Sequence, residues 1–130
     1  MKNKGFTLIE LLAVIVILAI IALIATPTIL GVVENARKGA AESTVLGYVD
    51  AIEKQVMINE MDSESGNDIT DGSYDITTLD NKKVSVKGNK PSLSGTNKVT
   101  ITNGEVQDTT FTVGKYTVKY TKSTGKATVQ

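Results

Sequence analysis

The stretch KGFTLIELLAVIVILAII, residues 4–21, decides the fold of this 130-residue chain. It is almost wholly apolar, and no charged residue occurs between Leu11 and Val33. A helix of about 20 apolar residues is long enough to cross a bilayer. The sequence therefore predicts a transmembrane helix near its N-terminal end.

The residues ahead of this apolar run carry positive charge. Lys2 and Lys4 are both basic, and by the positive-inside tendency they keep the N-terminus in the cytoplasm and direct the rest of the chain outward. A secretory signal peptide has a shorter apolar core followed by a cleavage site of small residues. Here the apolar run continues into a helix-like segment without a polar break. The pattern favours a single-span anchor over cleavage after the span.

Glu10 is the residue in this stretch that needs an explanation. A carboxylate at the bilayer centre costs about 2.5–3.5 kcal/mol on insertion scales, and less near the interface. Glu10 should therefore have a partner or a polar route. The alternative interpretation is a lone carboxylate at the membrane surface.

The residues around Glu10 also carry a family resemblance. Lys4-Gly5-Phe6-Thr7-Leu8-Ile9-Glu10 resembles the processing site of prepilins. Prepilins are the precursors of type IV pilins and of the related pseudopilins of type II secretion and competence systems. The resemblance covers roughly the first 30 residues, including Pro27. It implies a pilin fold, cleavage after Gly5 by the membrane prepilin peptidase, and methylation of the new amine of Phe6.

The same residues suggest how subunits would assemble. Cleavage would place an ammonium at Phe6, and four residues rise only about 6 Å in a helix, so Glu10 lies at a similar depth. A neighbouring subunit could place its own amine against Glu10; apolar packing would then supply affinity, and the charge pair would set the axial register. Thr7 and Pro27 belong to the same assembly segment. Pro27 lacks a backbone donor, which predicts a kink or a loosened turn before it.

After the span, a helical pattern continues from Glu34 to about Met61. Its apolar stripe has helical spacing; the stripe consists of Val45, Val49, Ile52 and Val56. We expect it to cover a β-sheet. The predicted segments are a leader at 1–5, a transmembrane and assembly helix at 6–33, an amphipathic helix at 34–61, and an acidic loop with a β-sheet head at 62–130.

The last half of the chain has the period of β-strands. Turn formers follow Met61 and should end the helix there. Short strands are predicted around Tyr74 and Ile76 and around Val84 and Val86, with a loop from Lys87 to Asn97. Later strands alternate Thr and Lys with the apolar or aromatic side chains of Phe111, Val113, Tyr116, Val118 and Tyr120.

Two hairpins fix the predicted strand register. An Asn103-Gly104 turn would place Ile101 opposite Val106. A four-residue loop at 122–125 would pair Tyr120 with Ala127, and Val118 with Val129. The predicted fold class is thus α+β, with a long N-terminal helix packed on one antiparallel sheet of about four or five strands.

The composition argues against an enzyme. The chain has no cysteine, histidine or tryptophan, so the common nucleophile–base pairs and a disulfide framework are unavailable. No phosphate-binding glycine loop occurs. We therefore predict no catalytic residue and no cofactor.

Two clusters of charge are weak candidates for binding. Oxygen ligands for calcium could come from the acidic loop, whose carboxylates are Asp62, Glu64, Asp68 and Asp71. The spacing does not fit an EF-hand, and no metal site is predicted. Lysines near the last strands could contact DNA phosphates, but lysines that alternate along a strand usually lie on its solvent-exposed face or protect a sheet edge. These lysines are Lys115, Lys119 and Lys122, and nucleic acid is not an expected partner.

The charges are also unevenly distributed along the chain. Six acids and no base lie between Asp62 and Asp80, whereas nine lysines and only two acids follow Asn81. Such an asymmetry can orient neighbouring subunits, or it can reflect two solvated surfaces.

The predicted function is that of a structural subunit in a type IV pilus or pseudopilus filament. Its expected partners are the prepilin peptidase, other copies of itself and related pilins, the pilus or secretion assembly machinery, and the membrane. It would be a single-pass cytoplasmic membrane protein before assembly and part of a cell-surface filament afterwards. The alternatives are a membrane-anchored extracellular binding protein and a competence pseudopilin for DNA uptake. The composition also resembles that of pilins from low-GC Gram-positive bacteria.

Overall fold

The computed structural model of the chain describes residues 3–62, 68–82, 84–93 and 97–130. In chain order, the elements are α1 (Leu8–Met61), β1 (Gly72–Tyr74), α2 (Ile76–Asn81), β2 (Ser92–Leu93), β3 (Val99–Thr102), β4 (Glu105–Val106), β5 (Thr109–Val113), β6 (Tyr116–Thr121) and β7 (Lys126–Val129). A long N-terminal helix and C-terminal antiparallel sheets confirm the predicted α+β class. The chain divides into two compact units between Arg37 and Lys38.

The part of α1 in the first unit is exposed on every face. Between residues 8 and 33, every side chain except that of Ala25 is exposed. Among the described residues, α1 is the one helix long and apolar enough to cross a membrane. All-round apolarity is typical of a helix that meets lipid or other helices on every side.

The part of α1 in the second unit buries one face. The buried residues recur at spacings of three and four, as expected for one stripe of a helix; they are Ala41, Val45, Tyr48, Val49, Ile52 and Val56. All four residues of the predicted stripe are therefore confirmed. The Tyr48 ring also meets the Phe111 ring of β5 edge-on, with centroids 6.0 Å apart.

The strands form two antiparallel sheets rather than the single predicted sheet. One has the order β1-β3-β4 and the other the order β2-β5-β6-β7. The predicted hairpin registers are confirmed, because Ile101 pairs with Val106, and both β6–β7 pairs occur as expected. Strands as short as β2 and β4, with two residues each, cannot be recognised from an alternation of apolar and polar residues.

The strand predicted around Tyr74 and Ile76 is only partly present in the structure. Tyr74 lies in a strand, but Ile76 begins α2, because Asp75 caps a helix: its Oδ1 accepts a hydrogen bond from the Thr78 amide at 2.7 Å. Hydrogen bonds from the Thr78 side chain and amide lower the pKa of the Asp75 carboxyl. Leu79 is then buried three residues after Ile76, at helical rather than strand spacing.

Two further details of the prediction are wrong. Neither Val84 nor Val86 lies in a strand, although Val84 is buried. Conversely, β2 lies within the predicted loop from Lys87 to Asn97, where it pairs with β5. Packing against the core, and not alternation along the chain, sets the structure of this segment.

Two glutamates of α1 tie the helix to the sheets. Glu53 Oε1 accepts a hydrogen bond from the Val106 amide at 3.0 Å, and Glu42 Oε1 accepts one from the Val129 amide at 3.0 Å. Val106 and Val129 lie on the end strands of the two sheets, β4 and β7. Residues eleven apart are about three helical turns apart and share a face. The two carboxylates therefore satisfy edge amides that would otherwise be open to another chain.

Candidate processing and assembly site

The peptide bond between Gly5 and Phe6 is accessible. Residues 3–7 precede α1 and form no regular element, and both Gly5 and Phe6 are exposed. The Phe6 side chain is 93% exposed, and a Cβ placed on Gly5 would meet nothing within 4 Å. An exposed bond outside a helix can enter a protease active site without unfolding its surroundings.

Thr7 and Glu10 form a capping box at the start of α1. The Thr7 amide donates to Glu10 Oε2 at 2.8 Å, and the Glu10 amide donates to Thr7 Oγ1 at 3.3 Å. A threonine followed three residues later by a glutamate satisfies two free amides of a helix N-terminus in this way. The structure thus gives Glu10 a partner in its own chain, which the sequence interpretation missed although the Thr-x-x-Glu signal was present.

The capping bond still leaves acceptor capacity on Glu10. A carboxylate has two oxygens and about four lone-pair directions. Thr7 uses one of these directions from its amide. The carboxylate can therefore stay bonded to its own helix end and accept from an ammonium as well.

Pro27 lies within α1, away from the capping box. About 25 Å of helix rise separates it from Glu10, so the structure does not bring the two together. Pro27 has no amide hydrogen to offer the Leu23 carbonyl, while Thr26 Oγ1 donates to the Ala22 carbonyl at 2.6 Å. The kink predicted before Pro27 stays a prediction.

The weak metal candidates do not form a cluster in the described part of the chain. Asp62 is exposed and Asp68 is half-buried, whereas Glu64 lies outside the described residues. Asp71 binds backbone instead: its carboxylate accepts from the amides of Asn103 and Gly104. No group of three or more acidic side chains among the described residues could hold a metal ion.

Two of the three lysines considered for DNA have other contacts in the structure. Lys122 Nζ lies 2.7 Å from Glu105 Oε2, and the hydrogen bond to Glu105 raises the Lys122 pKa. Lys115 Nζ lies 5.1 Å from the centre of the Tyr116 ring. Lys119 is exposed in β6. Glu105 therefore offsets the charge of Lys122.

Basic and acidic segments also meet within the second unit. Lys90 Nζ forms a salt bridge with Asp80 Oδ1 at 2.8 Å, and Lys82 Nζ donates to the Asp68 carbonyl at 2.7 Å. Part of the charge asymmetry along the sequence is therefore neutralised inside one chain. That the remaining charges orient neighbouring subunits stays a prediction.

These features define a class of protein: one exposed apolar helix with a capped glutamate at its start, and a small α+β unit in the C-terminal part. Residues 1–26 match the family model described as the prokaryotic N-terminal methylation motif. This motif is the prepilin signal of type IV pilins and pseudopilins. It supports the pilin or pseudopilin class, which is structural and not an enzyme family.

The comparisons beyond this motif find no relatives. No curated protein and no solved structure matches the chain significantly. The Gram-positive origin suggested by composition stays a prediction.

Proposed function

We propose that the chain is a structural subunit of a type IV pilus or pseudopilus filament. It is cleaved after Gly5, methylated on the new amine of Phe6, and polymerised through its N-terminal helix. Glu10 pairs with the N-terminal ammonium of a neighbouring copy. The observation that carries the proposal is the capped Glu10 at the start of an apolar helix exposed on all faces, inside the methylation motif.

The exposed apolar surface supports assembly through the helix. Ile9, Leu12 and Ile20 are each more than half exposed, as are most of their neighbours. Such a surface is stable only when covered by lipid or by other helices. In the proposed cycle, the helix is covered first by the cytoplasmic membrane and then by other subunits in the filament core.

The charge pair would set the axial register between neighbouring subunits, that is, which residues of two adjacent helices lie side by side. A buried ion pair adds little net stability, but leaving one partner unpaired costs about 3–5 kcal/mol. A subunit inserted out of register would leave both its ammonium and a carboxylate unpaired. Thr7 contributes by holding the Glu10 carboxylate at the helix end.

The proposed partners follow from this cycle. They are the prepilin peptidase, other copies of the chain and related pilins, and the assembly machinery of a pilus or secretion system. The chain would span the cytoplasmic membrane before assembly, and its C-terminal unit would lie on the filament surface afterwards.

Mass spectrometry of the N-terminus of protein recovered from cells tests processing. We expect the mature chain to begin at Phe6 with one added methyl group. An active protein that still carries residues 1–5 would contradict the filament proposal and favour a membrane-anchored binding protein.

Two substitutions at Glu10 separate its capping role from its charge. Gln can take the same capping position as Glu, so Glu10→Gln keeps the helix start but removes the charge, and Glu10→Ala removes both. We expect subunit addition to weaken by at least about a hundredfold in both variants, measured as filament yield. Membrane insertion and cleavage after Gly5 serve as controls and should not change. Normal filaments from Glu10→Gln would show that capping, not charge, is what assembly needs.

A further inference from the structure

The Asn103-Gly104 turn between β3 and β4 has a chemical property beyond its role in the hairpin. Asn103 and Gly104 have φ values of 53° and 77°, as expected for the two central residues of a type I′ turn. This is the only Asn-Gly pair in the chain. Asn-Gly bonds are reactive because glycine has no side chain to hinder attack by its own amide nitrogen.

The reaction in question is deamidation. The Gly104 nitrogen loses its proton and attacks the side-chain amide carbon of Asn103, and ammonia leaves to give a cyclic succinimide. Water then opens the ring at either carbonyl, which yields aspartate or isoaspartate. The net change is the uptake of one water and the loss of one ammonia, without any oxidant or reductant.

The structure places a carboxylate on the nucleophile of this reaction. Asp71 Oδ1 accepts from the Gly104 amide at 3.2 Å, and Asp71 Oδ2 accepts from the Asn103 amide at 2.9 Å. A carboxylate stabilises the protonated amide and repels the anion that must form before attack. The same two bonds hold the turn backbone in one conformation.

We propose that Asn103 is a deamidation site of this chain and that Asp71 slows the reaction by holding the Gly104 amide. Asp71 is thus a positioning residue: it takes part in no bond change and acts on the proton of the nucleophile. The sequence interpretation treated this residue as a weak metal candidate.

Deamidation at this turn has a structural consequence. Isoaspartate adds a methylene to the backbone of the turn that sets the pairing of Ile101 with Val106. The turn also packs against α1, because a Cβ on Gly104 would lie 3.6 Å from Val56 Cγ1. A new carboxylate at position 103 would also lie beside that of Asp71. The modified hairpin should therefore loosen from the helix.

The test is the rate of deamidation in the full-length chain, kept in mild detergent at mildly alkaline pH. Peptide mass spectrometry follows the mass gain at Asn103, and chromatography separates the two products. A hydrogen bond to a charged group contributes about 1.5–3 kcal/mol, so Asp71→Ala should react at least about tenfold faster than the unmodified sequence.

Glu53→Ala is the matched control. It also removes a carboxylate that accepts from an amide of the same hairpin, that of Val106, but it leaves the Gly104 amide bonded to Asp71. Acceleration in Asp71→Ala well above that in Glu53→Ala supports the proposal. Equal rates in Asp71→Ala and the unmodified chain would overturn it. Equal acceleration in the two variants would also overturn it, because general loosening of the hairpin would then control the rate.

Discussion

The two parts of helix α1 have similar side chains but different surroundings. Ile20 is 55% exposed in the first compact unit, whereas Ile52 is 0% exposed in the second. The second part packs one face against the sheets of its own unit. The first part stays exposed, and an apolar surface of this kind is typical of a segment that contacts lipid or other helices. The same residue type is therefore buried in the core in one place and exposed in the other.

The glutamates of α1 differ in a similar way. Glu10 bonds to the end of its own helix through Thr7, while Glu42 and Glu53 bond to edge strands of the two sheets. The first carboxylate fixes where the helix begins. The other two fix how the helix lies on the sheets.

The largest expected effect comes from a matched pair of substitutions in the two parts of α1. Ile52→Ala should lower the free energy of unfolding of the C-terminal unit by about 2–5 kcal/mol, because it leaves a cavity in the core. Ile20→Ala should leave that free energy unchanged. Urea unfolding of the full-length chain in mild detergent, followed by tyrosine fluorescence, measures both.

The same two substitutions should have the opposite order of effect on filament assembly. When equal amounts of folded protein are compared, Ile20→Ala should reduce filament yield more than Ile52→Ala. Ile20→Ala removes apolar surface from the proposed filament core, so filament yield should fall although the C-terminal unit is intact. A large loss of unfolding free energy in Ile20→Ala would mean that the first part of α1 is packed within its own chain, and the contrast between the two parts would be wrong.

A smaller effect is expected at Glu53. Glu53→Ala leaves the amide of Val106 without its acceptor, which should cost about 1–3 kcal/mol of unfolding free energy. Glu53→Gln retains a carbonyl acceptor and should cost less than about 1 kcal/mol. The same urea experiment compares the two variants. Equal losses from Ala and Gln would show that the charge of Glu53, and not its hydrogen bond, stabilises the hairpin.

Much of the fold could be predicted because strong local signals agreed with the tertiary structure. The apolar stripe from Val45 to Val56 marked the buried helix face, and Asn103-Gly104 fixed the register of one hairpin. The prediction was wrong where local signals were weak or competed. Ile76 alternates with Tyr74 as in a strand, but the capping side chain of Asp75 starts a helix there. The shortest strands had no pattern to find.

The candidate site was only partly predictable. The residues around Glu10 predicted a prepilin signal, which the family match over residues 1–26 confirms. The roles of Gly5, Phe6 and Glu10 in processing and assembly stay predictions. The capping bond between Thr7 and Glu10 was readable from their spacing. The roles of Glu53 and Asp71 were not, because the amides they bind lie more than thirty residues away in sequence.

The smallest effect is expected at Tyr48, in the buried part of α1. Its hydroxyl is buried and has no hydrogen-bond partner among the described residues, although its ring packs against Phe111. Tyr48→Phe keeps the ring and removes an unsatisfied polar group, so it should raise the free energy of unfolding by about 1 kcal/mol. A loss of stability in Tyr48→Phe would instead mean that the hydroxyl has a partner.

The pH dependence of the Tyr48 variant gives an independent check. Burial, and secondarily Asp80, raises the pKa of the Tyr48 phenol. Because the pKa is higher in the folded state, the folded chain holds the phenol proton more tightly than the unfolded chain does. This contribution to the free energy of unfolding is complete below the ordinary tyrosine pKa and is lost as pH rises above about 10. The advantage of Tyr48→Phe should therefore widen in urea unfolding at alkaline pH. Tyr120, whose pKa is also raised by burial, is present in both proteins and cancels in the difference. A constant difference across this range would show that the Tyr48 phenol ionises as easily in the folded chain as in the unfolded one.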